Sequence, residues 1–257
     1  MGVDHDIIQE ASIMKLGKLP ARENSITFKM AAYSSLPEAP SKGGHFSLVA
    51  DWQGMLGNDK YGCCVWAGGD HEHICWNKSA SKLVKFTNKN ALADYSACTG
   101  FNPSNPNTDN GTDMQAAASY RRKTGLIDAN GIRHKIGAYV AIDASTKTEL
   151  KQAIYYFGAA GIGIQFPASA MAQFNNGKAW TVVSGSKIDC GHYVAAVGYD
   201  SRYVYVVTWG KIQKMTWGFY LKYCDEAIAY LSAEMLTDGK SLDGFNLAQL
   251  QANIKAL

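Results

Sequence analysis

The sequence lacks any long hydrophobic run. Its longest apolar stretch covers 12 residues, 153–164, and is interrupted by three glycines, whereas a membrane-spanning helix needs about 20 apolar residues. The first 20 residues lack the basic start and the uninterrupted apolar core of a secretory signal, because acidic residues stand among the apolar ones. We therefore predict a cytoplasmic protein with no membrane partner and no signal peptide.

The sequence also lacks a strong charge of either sign. Its 25 basic and 22 acidic residues leave a net charge of +3 without any run of five like charges, so no nucleic-acid partner is predicted. Cysteine is sparse, at six in 257 residues, and the adjacent Cys63 and Cys64 are poorly placed to pair with each other. We expect six free thiols in a reducing compartment.

What the chain contains is an ordinary globular composition, 47% hydrophobic and 18% charged, which fits one large domain or two small ones. We divide it into an extended N-terminal arm over residues 1–45, a folded body over 46–230 and a C-terminal extension over 231–257. Periodicity in the extension predicts a short amphipathic helix over 246–257.

The arm is too apolar for a solvated tail, so its large side chains should be buried against the body or against a neighbouring subunit. We therefore expect the arm to mediate a homo-oligomer or docking into a larger assembly. Its apolar residues are Ile7, Ile8, Ile13, Met14, Leu16, Ile26, Phe28 and Met30.

Periodicity and turn residues predict an α+β protein whose first half is mainly helical and whose second half is mainly β. The predicted helices cover residues 64–76, 112–123 and 147–157, and the predicted strands cover 161–166, 193–197 and 203–207, the last two as an antiparallel pair.

Three residues fit nucleophilic thiol chemistry. Cys64 is predicted where a glycine-containing turn enters a helix, and a helix N-terminus stabilises a thiolate. His192, at the start of a predicted strand, supplies an imidazole to pair with the thiol, and Asn58 supplies a side-chain amide that can donate to an oxyanion.

At these residues the chain resembles the papain family of cysteine peptidases, in which the nucleophile and the histidine are separated by about 130–150 residues, against 128 here. The resemblance runs in order from residue 49 to residue 223, roughly two-thirds of the chain. Its motifs are Asp51-Trp52, residues 58–64, 111–120 and 192–199, Thr208-Trp209-Gly210 and Trp217-Gly218. The resemblance implies a papain-like fold, with a helical half packed on an antiparallel β half, and no cofactor or metal.

One departure from the family concerns the orientation of the catalytic histidine. The asparagine that performs this task in the family falls at Val207 or, with a different gap, at Thr208. Valine cannot orient an imidazole, whereas the hydroxyl of Thr208 can. The implied catalytic set is therefore Cys64, His192, Asn58 and Thr208.

Two functions follow from this resemblance. The first is a papain-like thiol hydrolase, a peptidase or amidase, that uses the Cys/His pair on a peptide or protein substrate. The second is a catalytically weak or inactive papain-fold protein with a structural or binding role. The sequence is similar to uncharacterised papain-fold proteins of phages and prophages, which implies a virion role such as a capsid or tail accessory protein.

Other polar residues are assigned simpler roles. His71 and His73 flank Glu72 on a predicted helix, where their imidazoles point about 200° apart and cannot share one metal ion, so we place them on the surface. The basic run 121–123 is interpreted as a solvated helix end.

Overall fold

A computed structural model describes residues 14–22, 29–30, 36–238 and 240 of the chain. The predicted terminal helix over 246–257 and much of the arm lie outside these residues. The described helices are α1 Cys64–Ser79, α2 Asn88–Thr99, α3 Met114–Lys123, α4 Thr148–Phe157, α5 Ala168–Asn175 and α6 Trp217–Tyr223. The strands are β1 Leu126–Ile127, β2 Arg133–His134, β3 Ala138–Ile142, β4 Ala160–Pro167, β5 Ile188–Tyr199, β6 Tyr203–Thr208, β7 Lys211–Thr216 and β8 Cys224–Leu231.

Six of these strands form one antiparallel sheet in the order β3-β8-β4-β5-β6-β7. The strands of the second half supply most of the sheet, while α1, α2 and α3 come from the first half, so the predicted α+β architecture is confirmed. The predicted antiparallel pair is β5 with β6, and the three predicted helices correspond to α1, α3 and α4.

Helix α1 lies at the centre of the molecule, between the sheet and the other helices of the first half. Every residue of α1 except Lys78 is buried, which is why no polar face marks this helix in the sequence. Two glycines permit the close packing: a Cβ on Gly68 would lie 2.4 Å from the ring of Tyr193 on β5, and one on Gly69 would lie 2.9 Å from Leu126.

Burial of α1 overturns the surface placement of His71 and His73, which are 1% and 0% exposed. The interpretation of Arg121 as solvated is also wrong, because it is 1% exposed. Its guanidinium lies 2.7 Å from the buried Glu72 carboxylate and 4.1 Å from the ring centroid of Tyr230. The buried contact between α1 and α3 therefore contains an ion pair that the sequence pattern did not indicate.

His73 belongs to a second polar cluster, which ties the chain beyond β8 to α1. Its Nδ1 lies 2.7 Å from one oxygen of Glu234, whose other oxygen lies 2.6 Å from Nδ1 of His134. These two contacts, together with a bond from Asn77 to Glu234, fasten the start of the predicted C-terminal extension to the body.

The buried histidines predict a loss of stability in mild acid. Burial lowers the pKa of His71 to about 4, whereas an unfolded histidine titrates near 6.5. Between these values the unfolded chain binds a proton that the folded chain does not, so stability is fully present above pH 6.5 and falls by about 3 kcal/mol towards pH 4.

This loss is measured as the melting temperature between pH 7.5 and pH 4. In the His71→Gln variant, whose amide can still donate to the Gly54 carbonyl that His71 contacts at 3.1 Å, the decline should be shallower. Identical pH profiles for the two proteins would contradict the assignment. The pKa of His134 is raised overall, because Glu234 and Asp128 outweigh the effect of burial. Protonation of His134 therefore stabilises the folded state in mild acid, and it does so equally in both proteins.

All six cysteines are free thiols in the structure. No described helix is long and apolar enough to cross a membrane. The reducing compartment stays a prediction.

Candidate active site

Cys64 is the first residue of α1 and is only 1% exposed. Burial raises the pKa of its thiol to about 12, although backbone hydrogen bonds from Tyr193 and Gly17 act in the opposite direction. The helix N-terminus is thus where the sequence predicted it, but burial favours the neutral form of the thiol.

His192 lies on β5 and is completely buried. Its Nε2 lies 2.8 Å from Oγ1 of Thr208 at the end of β6, so Thr208 is the one of the two residues considered from the sequence whose side chain contacts the imidazole. The other ring nitrogen, Nδ1, is buried and has no hydrogen-bond partner in the described part of the chain. The predicted hydrogen bond to Cys64 is therefore not formed here, and burial lowers the pKa of His192 to about 3.

Trp209 covers the imidazole of His192. The two rings stack with centroids 4.5 Å apart and planes 16° from parallel. Thr208 pairs with Lys211 across the β6–β7 hairpin, so Trp209 and Gly210 form a two-residue turn, with φ of 46° and 74°. Such turns favour Asn-Gly, and a bulky aromatic residue at positive φ is an uncommon backbone conformation.

Asn58 is buried beside the same site. Its Nδ2 donates to two backbone carbonyls, that of Tyr61 at 2.9 Å and that of Lys15 at 3.1 Å. Nε1 of Trp209 also donates to the Lys15 carbonyl, at 3.4 Å. The amide predicted to stabilise an oxyanion thus already binds a carbonyl oxygen, and that oxygen belongs to the N-terminal arm.

Residues 14–22, here called the cleft segment, lie along the β side of the site. The backbone N–H groups of Gly17 and Lys18 donate to the carbonyl of Gly191, the neighbour of His192, at 3.1 and 3.0 Å. A strand-like contact thus runs directly beside the candidate catalytic histidine.

The cleft segment also pairs with the helical half. The N–H of Thr112 donates to the carbonyl of Gly17 at 2.7 Å, and the N–H of Leu19 donates to the carbonyl of Thr112 at 3.0 Å, in a parallel bridge. The segment therefore spans the cleft between the two halves of the protein.

The cleft segment packs so closely against the turns at Gly62 and Gly111 that glycine is required in the segment and in the turn at Gly111. A Cβ on Gly17 would lie 2.0 Å from the carbonyl oxygen of Gly62, and one on Gly111 would lie 2.3 Å from the carbonyl oxygen of Gly17. Gly62 belongs to the turn just before Cys64, so the segment lies against the residues that lead into the helix carrying the buried thiol.

The comparisons agree with this architecture. No family model and no curated protein matches the chain. Among solved structures, xylellain, a cysteine protease from Xylella fastidiosa, superposes with a TM-score of 0.62 at 13% identity, over 88% of this chain and 99% of the other.

Two further cysteine proteases are similar. CMS1MS2 of Carica candamarcensis, solved in complex with E-64, gives a TM-score of 0.54 at 13% identity, over 75% of this chain and 99% of the other. The cysteine protease and lectin-like domains of Cwp84 from Clostridium difficile give 0.52 at 13% identity, over 85% and 53%. The chain therefore has the papain-like fold that these cysteine proteases share.

Sequence reasoning missed the occupation of the cleft. The arm was expected to reach either the body or a partner, and its described portion at 14–22 lies on the body, across the cleft. The sequence feature that could have indicated this close packing is Gly17, a small residue among larger apolar and basic neighbours.

Proposed function

We propose that the protein is a papain-like thiol hydrolase that cleaves peptides or other amides, and that the cleft segment keeps it latent until it is displaced. The observation that carries this proposal is the hydrogen bond from His192 to Thr208 beneath the Trp209 ring, beside a helix that begins at Cys64. A buried histidine with one nitrogen fixed and the other unpartnered is suited to move a proton at the free nitrogen.

In the proposed reaction, Sγ of Cys64 attacks the substrate carbonyl carbon while Nδ1 of His192 takes the thiol proton. The Asn58 amide and the backbone N–H of Cys64 stabilise the oxyanion. The tetrahedral intermediate expels the amine, which receives the proton from His192, and leaves a thioester. Water then attacks the thioester with His192 as base, releasing the acid and restoring the thiol.

Thr208 acts as a positioning residue in this scheme. Its hydroxyl contacts Nε2, which leaves Nδ1 as the nitrogen that can take the thiol proton. When the ring is protonated both nitrogens donate, so Oγ1 of Thr208 accepts and stabilises the imidazolium.

The second candidate function is a papain-fold protein without catalysis, including a virion accessory role. The observation in its favour is that burial pushes the thiol and the imidazole towards their neutral forms, with pKa values of about 12 for Cys64 and about 3 for His192. A working pair needs a thiolate. Displacement of the cleft segment would hydrate both groups and reverse these shifts.

An epoxide-type thiol peptidase inhibitor separates the two functions. We expect it to modify Cys64 once per chain, slowly in the native protein and fast after the cleft segment is displaced, as measured by intact mass. Because the reaction needs an activated thiol, His192→Ala should slow it by about 10²- to 10⁴-fold.

Iodoacetamide, which needs no catalytic machinery, serves as the control, with Cys64→Ser as the blank and the exposed Cys190 replaced by serine in every protein. If iodoacetamide reaches Cys64 in a displaced variant and the epoxide does not, the protein is not a thiol hydrolase and the non-catalytic role is favoured.

A further inference from the structure

We propose that His73, His134 and Glu234 form a binding site for one divalent transition-metal ion, of which Zn²⁺ is the best fit. The site lies away from the candidate active site, because His73 is about 13 Å further along the axis of α1 than Cys64. None of the three residues belongs to the motifs that carry the resemblance to the papain family. The proposal therefore does not depend on the proposed hydrolase activity.

The donor atoms of the three side chains converge on one point. One donor atom from each lies within 4.8 Å of the other two. Nδ1 of His73 lies 2.7 Å from Oε2 of Glu234, and Nδ1 of His134 lies 2.6 Å from Oε1. Ligands of a tetrahedral Zn²⁺ are about 3.3 Å apart, so an ion in place of the protons between these atoms needs each contact to open by only about 0.7 Å.

Two further polar side chains support the ligands from behind. Nε2 of His134 is buried and lies 3.6 Å from Oδ2 of Asp128. A metal ion on Nδ1 leaves the ring proton on Nε2, where it faces this carboxylate, as is usual for a histidine ligand. Asn77 donates to Oε2 of Glu234 at 2.7 Å and so fixes the second carboxylate. The charges of Asp128 and Glu234 together offset those of a dication.

The surroundings of the cluster suit a bound ion. The ring of Trp76 meets that of His73 edge-on with centroids 4.8 Å apart, and Phe86 packs against His134 at 5.7 Å. Such an apolar wall strengthens the attraction between an ion and its ligands. The side chains of His134 and Glu234 are 12% and 22% exposed, which gives an ion a path of entry and leaves room for water as a fourth ligand.

The donor set selects the kind of ion. Ca²⁺ and Mg²⁺ take oxygen ligands, whereas two imidazoles and one carboxylate bind Zn²⁺ and Fe²⁺. Zn²⁺ has no geometric preference of its own and accepts three protein ligands with one water. It also requires no redox partner.

A bound ion would cross-link three distant parts of the chain. His73 belongs to α1 and His134 to β2, while Glu234 lies in the short turn after β8. Its two histidine contacts span 161 and 100 residues of sequence. Because the unfolded chain does not hold these ligands together, the free energy of binding adds to that of folding. The ion would thus fasten the start of the C-terminal extension to the body.

The test uses the full chain without a histidine tag, with Cys64→Ser and Cys190→Ser to remove two thiols that could compete for the metal. The chain is first treated with a chelator, which is also the form in which the pH profiles described above are measured. Zn²⁺ alone is then added. Calorimetry gives the affinity, and elemental analysis gives the amount of zinc retained.

We expect one Zn²⁺ per chain with a dissociation constant on the order of 1 μM or lower. At a free Zn²⁺ concentration about 100-fold above that constant, the ratio of folded to unfolded protein should rise about 100-fold, seen as a higher melting temperature.

His134→Gln and Glu234→Gln should each weaken binding by at least about 100-fold, because loss of even a group behind a ligand costs 10- to 100-fold. His71→Gln is the matched control. His71 lies in the same helix as His73, but its Nε2 contacts the carbonyl of Gly54, so its replacement should change the affinity by less than about threefold.

X-ray absorption at the zinc edge needs no ligand variant and decides the question if a variant fails to fold. We expect nitrogen and oxygen ligands at about 2.0–2.2 Å. Sulfur at about 2.3 Å would assign the ion to a cysteine and overturn the site. The site would also be refuted if Zn²⁺ does not bind at about 100 μM, or if the affinity survives both His134→Gln and Glu234→Gln.

Discussion

Lys18→Glu should expose the thiol of Cys64 and raise its rate of iodoacetamide alkylation by about 10²- to 10³-fold. The physical reason is that the buried Lys18 ammonium, which lies 2.9 Å from the Asp225 carboxylate, is replaced by a like charge. Leaving a buried charge unpaired costs about 3–5 kcal/mol. That energy favours release of the cleft segment over its docked state. The measurement is the alkylation rate of Cys64 by intact mass, with Cys190 replaced by serine.

Lys15→Glu is the matched control, because the Lys15 side chain is exposed and only its backbone N–H and carbonyl contact the site. Its alkylation rate should stay close to that of the native protein. Gly17→Val is a second route to the same result, since its side chain would collide with the Gly62 carbonyl. Unchanged alkylation in both Lys18→Glu and Gly17→Val would show that the cleft segment does not protect the thiol.

The largest loss of stability is expected from breaking the ion pair inside the helical half. Burial alone would lower the pKa of Arg121, but the Glu72 carboxylate more than offsets this and holds it above its usual value. Glu72→Gln or Arg121→Met removes one partner and leaves a buried charge uncompensated, at a cost of about 3–5 kcal/mol in the free energy of unfolding. Urea denaturation measures the effect.

Arg122→Met is the control for this prediction. Arg122 is the next residue on α3 and is exposed, so its replacement should change stability by less than about 0.5 kcal/mol. The double variant Glu72→Gln, Arg121→Met should be more stable than the sum of the two single losses predicts, because neither charge then remains alone. A strictly additive double variant would contradict the ion pair.

The sequence predicted the architecture well where local pattern and motif agreed. Cys64 begins a helix as expected, and the antiparallel pair of β5 and β6 carries His192 and Thr208 next to each other. Both results follow from information within a few residues of each motif. The choice between Val207 and Thr208 needed the hairpin register, which only the structure supplies.

What the sequence did not reveal depends on contacts between distant residues. Arg121 lies on the face of α3 that also buries Met114, Ala117 and Ala118. Only the distant Glu72 explains why a charged side chain is tolerated on that face. A helix buried on all sides has no polar face, so the periodicity of the sequence could not show whether His71 is buried or exposed. Occupation of the cleft by residues 14–22 likewise depends on a close fit of glycines far apart in the chain.

The bulge at Asp225 of β8 places an acidic side chain outside the paired register of the sheet. Because residue 225 is not paired with β4, its side chain can be exchanged without shifting the register of the strands around it. Exchange of Asp225 would act on the cleft segment, because it leaves the buried Lys18 ammonium without the carboxylate that lies 2.9 Å away. The attachment of the cleft segment can therefore be weakened or strengthened at residue 225 without rebuilding the hydrophobic core.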